Sequence, residues 1–299
     1  MNKVLQFEGI GTHWWIEFFE EIDDEQFREI QLKILECVSS FNNDYSRFKD
    51  DSLISKLNHQ KVLLAPPIEL LKMIELGETT RKITQGHFNI SVGKVLEDSG
   101  YDKNYSFVSK ESRTTNNPPE EIIFNENKIE IPQDVHIDLG GIGKGFLIDK
   151  IKDLILKEGI KYFFINAGGD IYTTSENGKE VEFYLENPFD LTQMIGKIKI
   201  KDKSIASSSP SRRRWKDKNT NKVHHHLIDM ISKVEADEVS GVYTFGNSAT
   251  DSDLASTALF VSPKELYGQI AKHFNIEYLV VFKNKSYLKS EQYPGELFL

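Results

Sequence analysis

Apolar residues recur along this chain with two distinct periods, and the periods mark out most of its elements. In "THWWIEFF", residues 12–19, Trp14, Ile16 and Phe18 fall on one face of an alternating run, which predicts a strand. Phe27, Ile30, Ile34, Val38 and Phe41 then recur at helical spacing behind Asp23 or Asp24, either of which suits a helix cap. A second helix is predicted in "PPIELLKMIELGETTRKITQG", residues 66–86, which starts on proline and stops at glycine.

Further on, "NKIEIP" and "VHIDLG" predict two strands, a helix runs from about Lys144 to Lys157, and Gly159 ends it before the strand "KYFFINAGG". This order predicts a strand-helix-strand unit. Strands follow at "VEFYLEN", "MIGKIKIKDKSIASS" and "EYLVVFKNKSYLK", with helices at "DSDLASTALFV" and "PKELYGQIAKHF" before the last of them. The polar run at 109–121 reads as a surface loop and the basic run at 210–223 as a mobile one. Neither has the character of a linker, and no repeat is found. The pattern predicts an α/β (mixed α+β) fold, a single large domain over residues 1–299 with a central mixed sheet and flanking helices.

Composition narrows the function classes. A net charge of -9 argues against general nucleic-acid binding, which relies on a broad basic surface. Any anion must be met locally. The single cysteine, Cys37, shares a helical face with Ile30, Ile34 and Phe41; it reads as core and excludes an internal disulfide. The N-terminal stretch has no uninterrupted apolar run, and nothing later reaches the roughly 18 apolar residues of a spanning helix. The expectation is a cytoplasmic protein without membrane insertion.

Chemistry concentrates in a few segments. "DLGGIGKG", residues 138–145, reads alone either as an ordinary tight turn or as a phosphate loop, and it looks built for phosphate because small residues before a helix let backbone N–H groups approach an anion. It is neither a Walker A loop, since Gly145 follows Lys144 where a hydroxyl residue belongs, nor a dinucleotide fingerprint, since the next strand ends in Asn166. Asp138 beside such a loop would serve a base, a ribose or a metal. "NAGGD", residues 166–170, reads first as a tight turn. Both loops would fall at strand carboxyl ends, where open α/β sheets bind ligands. The consecutive histidines 224–226 cannot all grip one ion from a strand, because successive side chains face opposite ways. Asp253 and Thr257, four apart on a predicted helix, suit a hard cation, although Asp251 and Asp253 also suit a helix's first turn. "SRRR", residues 211–214, reads as a solvated charge run or as a greeting for an anion.

In combination and order these segments resemble the ApbE-type flavin transferases, the FAD:protein FMN transferases, along nearly the whole chain. The resemblance rests on "GIGTHW" (9–14), "YSRFKDDSLISKLN" (45–58), "GHFNISVG" (86–93), "DLGGIGKGFLID" (138–149), "NAGGD" (166–170), "IASSS" (205–209), "HLID" (226–229) and "SDLASTAL" (252–259). It implies a fold that binds FAD, uses Mg2+ to break its pyrophosphate, and transfers FMN to a Ser or Thr hydroxyl of an acceptor flavoprotein, releasing AMP. By motif position, Asp138 and Lys144 would contact FAD, and Ile10, Phe48, His87, Phe88 and Asn89 would fall with them around the flavin nucleotide. Gly141 would offer its carbonyl to the metal, Asp253 and Thr257 would complete the coordination, and His226 would be the base near the acceptor hydroxyl.

Several positions depart from the family pattern: Asn89 replaces Asp, Met230 replaces Pro, Ile10 replaces Met, Gly143 replaces Ala and Ser252 replaces Ala. The other readings of the same site are an FAD pyrophosphatase and a non-catalytic flavin-binding protein.

Overall fold

The computed structural model describes residues 2–110, 121–174, 180–211 and 213–298. The N-terminal periods resolve as expected. Trp14, Ile16 and Phe18 are fully buried on one face of the strand Thr12–Phe18. Helix α1 (Asp24–Tyr45) is capped by Asp23, whose carboxylate accepts from the Gln26 amide at 2.8 Å, and buries Ile30, Ile34, Val38 and Phe41. Cys37 is half-buried against the same core. The remaining helices are α2 (Leu53–Gln60), α3 (Ile68–Ile83), α4 (Gly93–Asp98), α5 (Gly143–Lys157), α6 (Ala249–Val261) and α7 (Tyr267–Phe274). Among the described residues no helix is long and apolar enough to cross a membrane.

Eight strands form the central sheet, in the spatial order Lys3–Gly9, Thr12–Phe18, Phe163–Ala167, Asp170–Thr173, Lys203–Ser208, Val239–Gly246, Glu277–Phe282 and Tyr287–Lys289. The α/β class with a central sheet and flanking helices is as expected. Every pairing within the large sheet is antiparallel, so the mixture is one of helices with strands rather than of strand directions. Helix α6 packs on this sheet, and all its residues except Asp251 and Thr257 are buried.

Two local expectations are corrected. "VHIDLG" is not a strand of the sheet, so the strand-helix-strand unit does not form. Val135, Ile137 and Leu139 are buried in alternation, as the period demands. The segment instead runs extended beside residues 90–93, with the Asp138 amide donating to the Ile90 carbonyl at 2.8 Å and the Gly93 amide to the His136 carbonyl at 2.9 Å. Alternation reports a half-buried extended chain and does not name its partner. The basic run at 210–223 contains a hairpin, Arg214–Lys216 paired with Val223–His225, rather than a mobile loop. Its anchor is Trp215, buried, with Nε1 donating to the Ser99 carbonyl at 2.9 Å. Residues 111–120 of the other polar loop, and Arg212, lie outside the described residues.

Helices α5 and α6 cap one another. On α5, Asp149 accepts from the Thr250 amide at 2.9 Å, the Thr250 hydroxyl at 2.7 Å and the Ser248 hydroxyl at 2.9 Å, all at the start of α6. On α6, Asp253 accepts from the Gly145 amide at 2.9 Å in the first turn of α5, a helix with no side-chain cap of its own. Each carboxylate thus answers the positive end of the other helix.

This arrangement sets a pH-dependent contribution to stability. Burial opposes the charge on Asp149, but the Thr250 donors and Lys152 outweigh it and hold the carboxyl below its ordinary 3.8. A depressed acid stabilises the fold above its unfolded value and loses that contribution as pH falls through the folded one. Asp149→Ala should therefore cost about 1–3 kcal/mol near neutral pH. Urea melts should show the gap from the parent protein narrowing below about pH 4. A gap that widens on acidification would overturn this account of the caps.

Candidate active site

A cleft of about 860 Å³ opens where the glycine loop, the Gly168–Gly169 turn, α6 and the basic hairpin meet. At its base lies Lys144, the second residue of α5. Its ammonium forms ion pairs with Asp170, at the start of a sheet strand, and with Asp253 of α6 at 3.0 Å. Both carboxylates are buried. Burial, only partly offset by the Lys144 ammonium and reinforced by the Asp253 charge, pushes the Asp170 carboxyl up to about 6. Asp170 Oδ1 accepts from the Ser207 amide at 3.1 Å, while Oδ2 has the ammonium beside it but no hydrogen bond of good geometry. The first-turn reading of Asp253 does not apply, because Ser248 is the cap of α6 and Asp253 lies beyond the first turn.

Gly145 permits this closeness. A Cβ there would lie 2.3 Å from the Ala249 carbonyl oxygen and 2.8 Å from Asp253 Cβ, so any side chain would drive the helices apart.

His226 also lines the cleft, with Nδ1 3.3 Å from the Arg213 carbonyl. A carbonyl only accepts, so Nδ1 carries the proton and Nε2 keeps the lone pair. Burial first, and then the Arg213 guanidinium, pushes the imidazole down to about 3, which leaves the ring neutral near pH 7. Its neighbour His224 points elsewhere, buried against Glu235 and stacked on Trp215.

The remaining expected residues divide. Phe48, Phe88, Asn89, Asp138, Gly141 and Thr257 line the cleft; Ile10 and His87 do not. Ile10 packs at the edge of the main core, and His87 pairs through Nδ1 with Asp229 at 2.8 Å, bracing two motif loops. Asn89 Oδ1 accepts from the Ser91 amide at 2.9 Å, a bond an Asp would make equally well. Asp138 is held by the Gly140 amide at 2.6 Å and by Arg47, whose guanidinium lies 4.2 Å from the centre of the Phe48 ring and 5.3 Å from that of Tyr101. Sequence reasoning did not single out Arg47, Tyr101, Ser207 or Asp170. The "YSRF", "NAGGD" and "IASSS" runs contained three of them, but nothing local tells an ion-paired Arg or Asp from a solvated one.

The metal expectation can be tested on the donors. Among the described residues no group of three or more His, Cys, Asp or Glu is placed to hold a metal ion. What the cleft offers is a mixed oxygen set. Asp253 and Thr257 lie one turn apart on α6, and a Cβ on Gly141 would sit 3.5 Å from Thr257 Oγ1, so the glycine turn packs on that hydroxyl. A carboxylate, a hydroxyl and a carbonyl, with remaining positions left to water and substrate phosphate, is the pattern that suits Mg2+. The residues present fit that ion.

The family model described as the ApbE family matches residues 10–280. The chain belongs to the ApbE family. A FAD:protein FMN transferase of Klebsiella pneumoniae (strain 342) is 21% identical over 272 residues, 86% of this chain and 84% of its own. One from Buchnera aphidicola subsp. Schizaphis graminum (strain Sg) is 27% identical over 246 residues, 76% of this chain and 71% of its own. The crystal structure of the ApbE protein of Thermotoga maritima matches with a TM-score of 0.86 over 98% of both chains at 23% identity. The flavin transferase ApbE from Vibrio cholerae matches at 0.77 and 20% identity, over 97% of this chain and 96% of that one. These structures share the ApbE fold with it.

In this ApbE-family chain, removing the Lys144 ammonium would leave two buried carboxylates facing each other. Lys144→Met should cost roughly 3 kcal/mol in chemical denaturation. Adding Asp170→Asn to that variant should recover part of the loss, since one of the two like charges goes. Strictly additive losses in this double-mutant cycle would mean that the ion pair is not the coupling element.

Proposed function

We propose that the chain transfers FMN from FAD to a Ser or Thr hydroxyl of an acceptor protein, with Mg2+ bound in the cleft, and releases AMP. The observation that carries this reading is the meeting, in one cleft, of a neutral histidine with Asp253, Thr257 and Gly141. The names of the relatives, FAD:protein FMN transferases, support the substrate and the acceptor class.

The chain's own residues divide the work. The acceptor hydroxyl oxygen bonds to the FMN-side phosphorus, the bond from that phosphorus to the bridging oxygen breaks, and AMP leaves with that oxygen. The hydroxyl proton passes to His226 Nε2. A ring neutral near pH 7 has its lone pair ready, and the tautomer is held by the Arg213 carbonyl. Phe48 and Phe88 present apolar ring surface to a flavin or adenine ring, and Arg47 fixes Phe48 and Asp138 in place. When bound, Mg2+ would neutralise phosphate charge and make the phosphorus more electrophilic. Asp253, Thr257 and the Gly141 carbonyl would hold it.

Incubation with FAD, Mg2+ and an acceptor protein bearing a Ser/Thr-rich segment should add the mass of FMN to the acceptor and release AMP, and EDTA should stop both. Free FMN with an unmodified acceptor would point to hydrolysis instead. His226→Ala should keep FAD affinity while transfer falls by about 100-fold to 10,000-fold, the usual range for a general base. Because Asp253 also caps α5, Thr257→Val is the cleaner probe of the metal. It should raise the Mg2+ concentration needed for half-maximal transfer and leave the melting temperature nearly unchanged. An unshifted Mg2+ requirement would remove Thr257 from the metal site.

A further inference from the structure

Two permanently charged cations line the cleft, Lys144 and Arg213, and their situations differ. Lys144 is already claimed by Asp170 and Asp253. Arg47, behind the cleft wall, is claimed by Asp138. Arg213 is half-buried, and among the described residues no carboxylate pairs with it. Its contact is a long one, from Nη2 to the Gly11 carbonyl at 3.4 Å. A guanidinium whose contact is one weak neutral acceptor, at an exposed position, has donors to spare, and its planar fork matches two oxygens of a phosphate.

Its position suits that ligand. The head of Arg213 reaches from the basic hairpin to the glycine turn at Gly11, where φ is +72° and a Cβ would come within 3.9 Å of Nη2. Its own carbonyl is the acceptor for His226 Nδ1. One residue therefore holds the base in its tautomer and carries a cation beside it. The same guanidinium depresses His226 and opposes the charge on Lys144, so its field covers the cleft from the base to the glycine loop.

We propose that Arg213 is the phosphate clamp of this site: it grips the non-bridging oxygens of a pyrophosphate diester and holds the charge that builds there as the acceptor hydroxyl attacks. The choice of FAD as the diester rests on the flavin-transfer reading; the clamp itself requires only a nucleoside diphosphate group. Phosphate oxygens against the guanidinium also offset the charge that disfavours protonation of His226, so substrate binding readies the base.

The test compares Arg213→Gln and Arg213→Lys with the parent protein in binding riboflavin, FMN, FAD and ADP at low and high salt, with thermal melts to verify folding. Arg213→Gln should leave riboflavin affinity unchanged and weaken FAD and ADP about 10-fold to 100-fold, as expected for lost hydrogen bonds to a charged group. The difference should shrink at high salt. Arg213→Lys should recover only part of the ADP and FAD affinity, because it keeps the charge and loses the fork. The rate of acceptor modification at saturating FAD should fall in the same order.

If Arg213→Gln binds ADP and FAD like the parent, or weakens riboflavin equally, the clamp is overturned. Arg213-dependent ADP binding by a protein that binds no flavin would uphold the clamp and overturn the flavin reading. A parent protein that binds neither FAD nor ADP would overturn both.

Discussion

An ammonium taken out of water is costly unless carboxylates answer it, and Lys144 meets two, Asp170 and Asp253. The residues come from the glycine loop's helix, a sheet hairpin and α6, segments far apart in sequence. The charge therefore fixes their relative placement in a way that apolar packing, which tolerates sliding, does not. Close approach is a condition of the pairing, and Gly145 provides it. The crossed caps add direction: with Asp149 at the start of α6 and Asp253 at the start of α5, a shift of either helix along its axis breaks hydrogen bonds at both ends.

The antiparallel sheet explains why turns, rather than the carboxyl ends of parallel strands, build the cleft. The Gly168 amide donates to the His13 carbonyl at 3.1 Å, so the hairpin turn at Gly168–Gly169 sits beside the first hairpin of the chain. A Cβ on Gly168 would fall 2.0 Å from Thr12 Oγ1, and the backbone there is left-handed, with φ at +65°. Only glycine meets both conditions. Asp170 follows two residues later at the head of its strand, which is how a turn becomes the anchor of a buried ion pair. The expectation of a site at parallel strand ends brought the right loops together for a different topological reason.

What the sequence made legible was periodic or motif-bound. Trp14, Ile16 and Phe18, and the stripe from Ile30 to Phe41, declare a buried face because burial acts on each residue separately. "VHIDLG" shows the limit: its alternation is real, but pairing with residues 90–93 rather than with the sheet is decided by distant chain. The arginine run shows another, since charge in a window predicts solvation and the buried Trp215 that folds the run into a hairpin acts through Ser99. Nine of the eleven expected site residues line one cleft. The other two, Ile10 and His87, neighbour it in sequence and brace it in space. Arg47, and the pairing of the Asp170 carboxylate in "NAGGD", escaped notice because an ion pair is a property of two segments at once.

Charge balance connects the cleft to the chain's acidity. An anionic substrate approaching a protein of net charge -9 meets a repulsive average field, so the local balance matters. In and immediately behind the cleft, Arg47, Lys144 and Arg213 stand against four carboxylates, Asp138, Asp170, Asp253 and Glu186. With every group ionised the site is left with one negative charge in excess. A pyrophosphate diester would bring two more negative charges, which one divalent cation would offset. The oxygen donors of Asp253, Thr257 and Gly141 and the guanidinium of Arg213 would then be complementary rather than redundant. The cation would offset the charge of the substrate, while the arginine, fixed on the hairpin that also orients His226, would determine which phosphate oxygens face the base.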